Sequence, residues 1–573
     1  MKRIDHQSLS SYFQKITCRK PAIVSVVLLL WCCAVNAAVS LYPAPVGIAA
    51  SPDYTVTVNG QQTFIYNPKV QIGRDHPQAN MGMCYFDFSD SVTVTVKANV
   101  QMTNVVMRPK SINFNPVING QTVTFTLRQP RKVTIEPNGY AYNPLVIFAD
   151  AIDASPPSQS DPNVLYFGPG IHTTGQINLQ SNKTIYLAGG AVVRGYIYAG
   201  NATNAKILGH GIIDESLDTV RHSFINLQNC SNITIDGPIL LDGFGWCVTP
   251  YYCTNVTIAD MKEICWRSNT DGIDVVGCNH CAIDNCYIRN WDDGVVLKSF
   301  NGTDVKNITV TNSVFWSDLA EALEIGYELE TSRIDSVTFK NIDIIHAFHN
   351  NALSIHNSAQ AVVSNIRYED IRIEDLDPAY CKPDASPTTY ILTLWIGTSQ
   401  WTTTGGQGTL RNIYFKNLSA SIKPGAQFPL SKIAGFDANH TIDTVTFENF
   451  TVDGKTMLSA ADAHININSA DFVKHVTFLS TTAENRPWQS LKDVSPILWR
   501  ISRTAVSLYT VANNGPQARL VLINTQGRII RVGHGGTGVN GLTVPITGCP
   551  NGLYTAYVKD SPRMYNKTFS VVR

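Results

Sequence analysis

From about Asn182 onward, a polar residue, most often asparagine, is followed again and again by a short run in which β-branched or aromatic residues alternate with polar ones. The phrase is read in Lys183-Thr184-Ile185-Tyr186-Leu187, Asn232-Ile233-Thr234-Ile235, Asn255-Val256-Thr257-Ile258, Asn307-Ile308-Thr309-Val310, Ser336-Val337-Thr338-Phe339, Asn365-Ile366-Arg367-Tyr368, Asn412-Ile413-Tyr414-Phe415, Thr444-Val445-Thr446-Phe447 and His475-Val476-Thr477-Phe478. A period of two with no helical period predicts strands. The copies recur at about 23 to 32 residues or about twice that, which marks a solenoid. Weaker copies at Ala205-Lys206-Ile207-Leu208, Cys281-Ala282-Ile283-Asp284 and Tyr390-Ile391-Leu392-Thr393 fill the longer gaps. One such coil is too small to bury its own apolar face, so the coils must stack into a right-handed parallel β-helix with a continuous core. Asparagine suits the turns because it tolerates left-handed backbone geometry and bonds to nearby backbone.

The flanks carry different patterns. Residues 38–160 lack the repeated phrase and show alternating runs at Val92–Val96, Thr122–Leu127 and Val133–Glu136, which predict a β-sandwich joined to the helix at Ser155-Pro156-Pro157-Ser158. Residues 161–495 form the helix. Residues 496–573 read as a small C-terminal β-sandwich, with runs at Leu520–Asn524, Arg528–Ile530, Asn551–Val558 and Thr568–Val572 and a turn at Gln526-Gly527. The fold class is therefore all-β. At the other end, Lys2, Arg3, Lys15, Arg19 and Lys20 precede an apolar run from Ala22 to Val35, and Val35-Asn36-Ala37 offers small residues for cleavage. Residues 1–37 are expected to be a secretory signal peptide, because the apolar run falls short of the ~20 residues a membrane span needs. The mature chain is expected to be secreted, extracellular or at the cell surface, with no membrane span.

Composition narrows the partners. The 44 basic and 44 acidic residues cancel and charged residues are only 15% of the chain, which argues against nucleic acid as a partner and leaves a neutral ligand open. Of the 13 cysteines, loss of Cys18, Cys32 and Cys33 with the leader leaves an even number in an oxidising setting, so some disulfides are expected. Cys278 and Cys281 form a lone C-x-x-C without the second pair or histidines of a zinc site, and read as stacked or bridged core cysteines. Neither a metal nor another cofactor is expected.

The acidic residues that stand out are Asp271, in Asn269-Thr270-Asp271-Gly272, and the pair in Asp292-Asp293-Gly294. They lie about one coil apart, which puts them on adjacent rungs about 4.8 Å apart. Hydrolysis of a glycosidic bond needs one carboxylic acid to protonate the leaving oxygen, and inversion needs carboxylates opposite it to activate water. Crowding supplies both, because neighbouring carboxylates cannot all ionise readily and one keeps its proton. Asx turns in solvated loops are the plain alternative for each motif taken singly. Adjacent strand residues point to opposite faces, so the Asp292-Asp293 pair needs a turn or bulge, which Gly294 allows.

Here the sequence resembles the pectinase and dextranase clan of glycoside hydrolases, families 28 and 49. The polygalacturonase signature of an N-T-D turn followed by a D-D pair is met by Asn269-Thr270-Asp271 and Asp292-Asp293. The resemblance implies an inverting hydrolase in which Asp292 is the general acid while Asp271 and Asp293 hold and activate water. Two marks of the polygalacturonases are replaced: Glu321 stands at their G-H-G turn, and Ser354-Ile355-His356 at their R-I-K triplet. An Arg/Lys clamp is the natural partner of a galacturonate carboxylate, so its loss disfavours an acidic substrate. Gly209-His210-Gly211 lies coils upstream and reads as an ordinary turn. Family 49 fits the remaining layout, through its N-terminal sandwich and the phrases Arg108–Ile112, Leu145–Ala149, Leu165–Gly170 and Tyr186–Ala191.

Substrate-binding candidates are Asn269, Trp266, Trp291, Lys298, Glu321, Glu324, Tyr327 and His356, with Glu328 beside them. Trp246, Trp266, Trp291 and Trp316 recur at about one coil and suit sugar rings by their apolar faces, with interior stacking as the alternative. The leading expectation is an endo-hydrolase of an α-linked polysaccharide, with a dextran-like neutral glucan ahead of pectic galacturonan. A polysaccharide lyase, which would want Ca²⁺ and a basic proton acceptor, and a non-catalytic glycan-binding β-helix are the alternatives of other classes. The N-x-x-G-R and N-G-L-Y phrases of the last domain resemble the sorting domains of surface-secreted bacterial enzymes and imply secretion machinery as a partner. A carbohydrate-contacting or capping sandwich is the other reading of that domain.

Overall fold

The structure is a computed structural model that describes residues 38–480, apart from 75, 378–388, 403–405 and 468–471, and beyond them only the backbone strands between 497 and 571. The expected signal peptide and the turn at Gln526-Gly527 lie outside the described residues. The chain divides into two compact units, Met1–Thr482 and Ala483–Arg573.

In the first unit, 31 strands from Val164–Phe167 to Val473–Leu479 form one continuous sheet whose coils pair almost entirely in parallel: a parallel β-helix. Each coil contributes up to three strands, the second and third rows running on as one strand in Arg333–Ala347 and Val362–Leu376. One row runs through Ile225–Gln228, Val248–Tyr251, Ile273–Val276, Val295–Gly302, Leu323–Thr331 and Asn350–Asn357. The repeated sequence phrase forms the second row, and short strands such as Lys262–Ile264 and Tyr287–Asn290 form the third.

The residue that opens eight of the nine phrases takes the left-handed conformation: Asn232 (φ 56°), Asn255 (57°), Asn307 (57°), Ser336 (59°), Asn365 (58°), Asn412 (56°), Thr444 (59°) and His475 (52°); at the first phrase it is Asn182 (62°), just before Lys183. Only residues that tolerate αL can turn the chain there. The asparagines also bond to one another between coils, as in Asn232 Nδ2 to Asn204 Oδ1 and Asn255 Nδ2 to Asn232 Oδ1, both 3.0 Å. Two of the weaker copies, in Thr203–Leu208 and Asn279–Asp284, fall in this row. The third does not. Tyr390–Thr393 lies in Thr389–Ile396 and pairs with Asn350–Asn357 of the first row. All faces alternate with period two, so without the αL residue a strand's face cannot be read.

Inside the helix, equivalent positions stack. Phe339, Tyr368, Phe415, Phe447 and Phe478 form an aromatic ladder with centroids 4.7–4.8 Å apart and planes within 16°. Phe415→Ala would remove a ring packed on both sides, and should cost about 3–5 kcal/mol of stability, read as a lowered urea midpoint.

The eight described cysteines are all free and buried, so the expected disulfides are not found among them. Their thiols act as small turn acceptors instead: the amide of Cys230 donates to Cys253 Sγ and that of Cys253 to Cys278 Sγ, both at 3.3 Å. Cys278 and Cys281 both sit in the helix core, as stacked thiols rather than a bridge.

The N-terminal sandwich has two five-stranded sheets, ordered (Val39–Leu41)-(Gly82–Phe88)-(Leu145–Ala151)-(Arg131–Pro137)-(Val105–Arg108) and (Gln61–Thr63)-(Tyr54–Val58)-(Val92–Ala98)-(Thr122–Leu127)-(Val117–Asn119). Val92–Ala98 alternates buried and exposed, whereas Gly82–Phe88 is buried throughout. The difference has a cause. Cys84 and Phe86 face the sandwich core, while Met83 and Tyr85 pack on the third row of the β-helix with Ile239, Ile264 and Trp316. Buried charges join the two bodies: Arg108 meets Glu136 and Glu374, each at 3.0 Å, and Lys262 meets Asp150 at 2.7 Å. His210 is more than an ordinary turn residue, since its Nδ1 lies 2.9 Å from Asp87 of the sandwich.

The second unit, Ala483–Arg573, holds a three-stranded antiparallel sheet of Ile497–Ile501, Ala505–Thr510 and Gly541–Pro545. A four-stranded one follows, ordered (Ile529–His534)-(Arg519–Asn524)-(Gly552–Asp560)-(Arg563–Val571).

Candidate active site

The turns that lead into the first row carry the acids. Ile273 pairs with Val295, Val295 with Leu323 and Leu323 with Leu353, so Asp271, Asp293, Glu321 and Asn351 occupy the same position on four consecutive rungs. Backbone bonds lock this register: Gly272 N–H donates to Asp293 O at 2.7 Å and Gly294 N–H to Glu321 O at 2.8 Å. The small residue after each acid follows from that closeness. A Cβ on Gly272 would stand 2.5 Å from the carbonyl oxygen of Gly294, and one on Gly294 would stand 2.5 Å from that of Ala322. Asp292 and Asp293 do lie in a bend, as their pairing requires, but Gly294 serves by its lack of a side chain rather than by special backbone geometry.

Within the bend the two aspartates splay along the helix axis. The backbone N–H of Asn269 donates to Asp292 Oδ2 at 3.2 Å, and the N–H of Glu321 donates to Asp293 Oδ1 at 3.2 Å. Asn269 adopts φ 58°, which turns that N–H toward Asp292, while its side chain accepts from Arg221 at 2.9 Å. Asn290, fully buried, ties the two acidic turns together by donating to Thr270 O at 2.9 Å and to Asp293 O.

Lys298 is buried under the acids. Its Nζ reaches Asp271 Oδ2 at 2.9 Å and Asp274 Oδ1 at 3.0 Å, and it sits 4.0 Å over the ring of Trp246. Burial, with help from the charge of Asp271, pushes Asp292 up to about 7. Burial and the neighbouring charges of Glu321 and Asp271 drive Asp293 well above the usual carboxylate range. The turn therefore holds protons near neutral pH, as a general acid requires.

The remaining candidates fall into two groups. Glu321 accepts from Asn351 Nδ2 at 3.1 Å, whose Oδ1 in turn accepts from Thr393 at 2.5 Å. Glu324 is fully buried and bonded by Ser354 and by His356 at 3.1 Å, and the ring of Tyr327 stacks on His356 at 4.4 Å. Glu328 lies close enough for its charge to act on Lys298. Trp266 is half-buried beside the Asn269 turn, with Nε1 donating to Asp242 at 2.7 Å and Lys69 5.4 Å from its ring. Trp246 is also half-buried.

Two of the tryptophans lie against the sandwich. Trp316 is fully buried against the sandwich, with Arg289 3.7 Å from its ring. Trp291 is buried too: its Nε1 donates to Gly73 O of the sandwich at 3.3 Å and Arg74 lies 5.9 Å from its ring. One-coil spacing cannot separate the outer surface from the sandwich interface, because both faces repeat with the same period. Asp274, Asn290 and Asn351 are not singled out by the sequence. Their signal is polar residues at strand positions where an apolar core is expected, visible only once the register is known.

The chain matches the model of glycosyl hydrolases family 28 over residues 209–381, which span these turns. It is 24% identical over 440 residues to an isopullulanase of Aspergillus niger, covering 64% of this chain and 70% of that one. It is 29% identical over 109 residues to a probable endopolygalacturonase D of Neosartorya fischeri, 19% of this chain and 22% of that protein. The solved structure of Dex49A from Penicillium minioluteum superposes with a TM-score of 0.56 at 16% identity, covering 77% of this chain and 96% of that one, and so shares the fold. In its matched turns, its parallel β-helix and its N-terminal sandwich, this chain is similar to the pectinase/dextranase clan of glycoside hydrolases.

Proposed function

We propose that the chain is a secreted, inverting endo-hydrolase of an α-linked polysaccharide, with a neutral, dextran-like glucan as substrate. Asp292 is the general acid that protonates the leaving oxygen, while Asp271 and Asp293, on adjacent rungs, hold the water, with Asp271, ion-paired to Lys298, as the carboxylate that activates it. The observation that carries this reading is the stacked ladder of Asp271, Asp293 and Glu321, with Asp292 splayed to its side.

The same ladder bears on the substrate. A polyuronate would bring its own carboxylates against Asp271, Asp292, Asp293, Glu321, Glu324 and Glu328, and like charges so placed repel. Three of the cations beside them are already engaged: Lys298 by Asp271 and Asp274, His356 by Glu324, Arg267 by the carbonyls of Asp218 and Ser216. Hydroxyl-rich neutral sugars meet no such repulsion. The relative in Aspergillus niger is named for action on pullulan, a neutral glucan. The match to the family 28 model supports a pectin-type galacturonan as the second reading.

Release of reducing ends from dextran, pullulan and polygalacturonate tests the proposal. Cleavage of a neutral glucan at least about tenfold faster than polygalacturonate is expected, a gap of about 1.4 kcal/mol in transition-state binding. Cleavage of polygalacturonate alone would transfer the chain to the second reading. An unsaturated, ultraviolet-absorbing product would instead make it a lyase, and the anomer first seen by NMR checks inversion.

A further inference from the structure

Directly beneath the Asn269–Asp271 turn, inside the β-helix, lies a group that hydrolysis does not use. Glu263 points into the apolar core from the strand Lys262–Ile264 and is fully buried, and neither of its carboxylate oxygens has a hydrogen-bond partner of ordinary geometry. The polar groups that face it are the thiols of Cys247 and Cys265, also fully buried. One carboxylate oxygen and the two sulfurs all lie within 4.8 Å of one another, and the sulfurs are 3.7 Å apart.

An unpartnered carboxyl in a hydrocarbon core costs several kcal/mol and demands an explanation. Two thiolates at about 2.3 Å from a tetrahedral zinc ion stand about 3.8 Å apart, close to the separation seen here. We propose that Cys247, Glu263 and Cys265 form a structural site for one soft divalent cation of the zinc type, held by two thiolates and the carboxylate. All three side chains are fully buried, which shuts the site off from bulk water and from substrate. Soft thiolates select zinc over magnesium or calcium. The Gly243 amide already donates to Cys265 Sγ at 3.3 Å, as a bond that supports a charged sulfur should. Gly243 has no alternative side chain available, since a Cβ there would stand 3.1 Å from both sulfurs.

The position has a consequence for the catalytic turn. Cys265 begins the turn, and the Cys247 amide donates to the carbonyl of Asp271 at its end, at 2.7 Å. One ion would thus pin both ends of the loop that carries Asn269 and Asp271. In its absence burial keeps both thiols protonated, with Cys265 pushed up to about 11 and Cys247 well above the ordinary thiol value. Cation uptake would release those protons. A C-x-x-C search misses the site because its ligands come from two coils.

The test is to produce the full chain in cobalt-supplemented medium, pass it through gel filtration with a weak chelator, and record bound metal and the absorption spectrum. About one equivalent of cobalt is expected, with sulfur-to-cobalt charge-transfer absorption in the near ultraviolet. Cys265→Ser and, with both thiols kept, Glu263→Gln should each lose tenfold or more of the retained metal. Cys278→Ser removes an equally buried thiol elsewhere in the core and should retain it. A folded protein, by its near-ultraviolet circular dichroism, with neither metal nor band would overturn the proposal. So would a band that survives the Cys247→Ser, Cys265→Ser double variant, or a Cys247–Cys265 disulfide found by mass spectrometry.

Discussion

Asp292→Asn is expected to lower kcat/KM by about a hundred- to ten-thousand-fold while leaving polysaccharide binding and the fold in place. The amide mimics the protonated acid in shape and can still accept from the Asn269 N–H, so the turn keeps its geometry, but it has no proton of suitable acidity to give. In the unsubstituted protein the carboxyl is held near 7 by burial and by the charge of Asp271, so activity should fall as pH rises through that value. Stability follows with the same sign. A carboxyl whose pKa is raised on folding favours the folded state fully below its unfolded value of about 4, and that contribution is lost as pH rises through about 7. The asparagine variant escapes the loss, and above pH 7 should be more stable than the parent by about 1–3 kcal/mol. Parallel measurement of turnover, binding and urea unfolding at pH 5 and pH 8 checks all three. Unchanged turnover would remove Asp292 from the chemistry.

Lys298→Met should be the most damaging single change at the site. The methylene stem is replaced almost isosterically, but Asp271 and Asp274 lose the cation between them and are left as neighbouring buried carboxylates. Breaking a buried pair in this way costs about 3–5 kcal/mol, because the uncompensated charge stays behind. Asp274 is already driven well above the normal carboxylate range by burial, so it takes up a proton more readily once the cation is gone. Turnover should fall together with stability, since Asp271 Oδ2 loses the bond that orients it. Adding Asp274→Asn to Lys298→Met should recover a measurable part of the stability and little of the activity. A double-mutant cycle in urea reads that coupling, and a coupling of zero would mean that the two residues do not act as a pair.

The solenoid was legible because its physics is local. The αL residue at the phrases is Asn, Ser, Thr or His, each strand alternates, and the coil length returns the phrase at regular intervals. The acids were legible for the same reason: an Asp-Gly turn and an Asp-Asp-Gly turn one coil apart must stack once the coils stack. Where residue type had to be combined with a face, the reading failed. Tyr390–Thr393 alternates like the second row but belongs to the first, and Trp291 and Trp316 recur like platforms but lie under the sandwich.

By itself, then, the sequence determined an all-β solenoid with a flanking sandwich, the turn positions and the three aspartates, because each depends on backbone preference and spacing within a coil. Only the tertiary structure decided that Glu321 and Asn351 continue the ladder begun by Asp271 and Asp293. It also decided that Lys298 is enclosed by Asp271 and Asp274, and that Cys247, Glu263 and Cys265 converge. These are relations between coils and between bodies. They depend on which face of each strand points inward and on what covers the outward one, and no periodicity along a single chain carries that information.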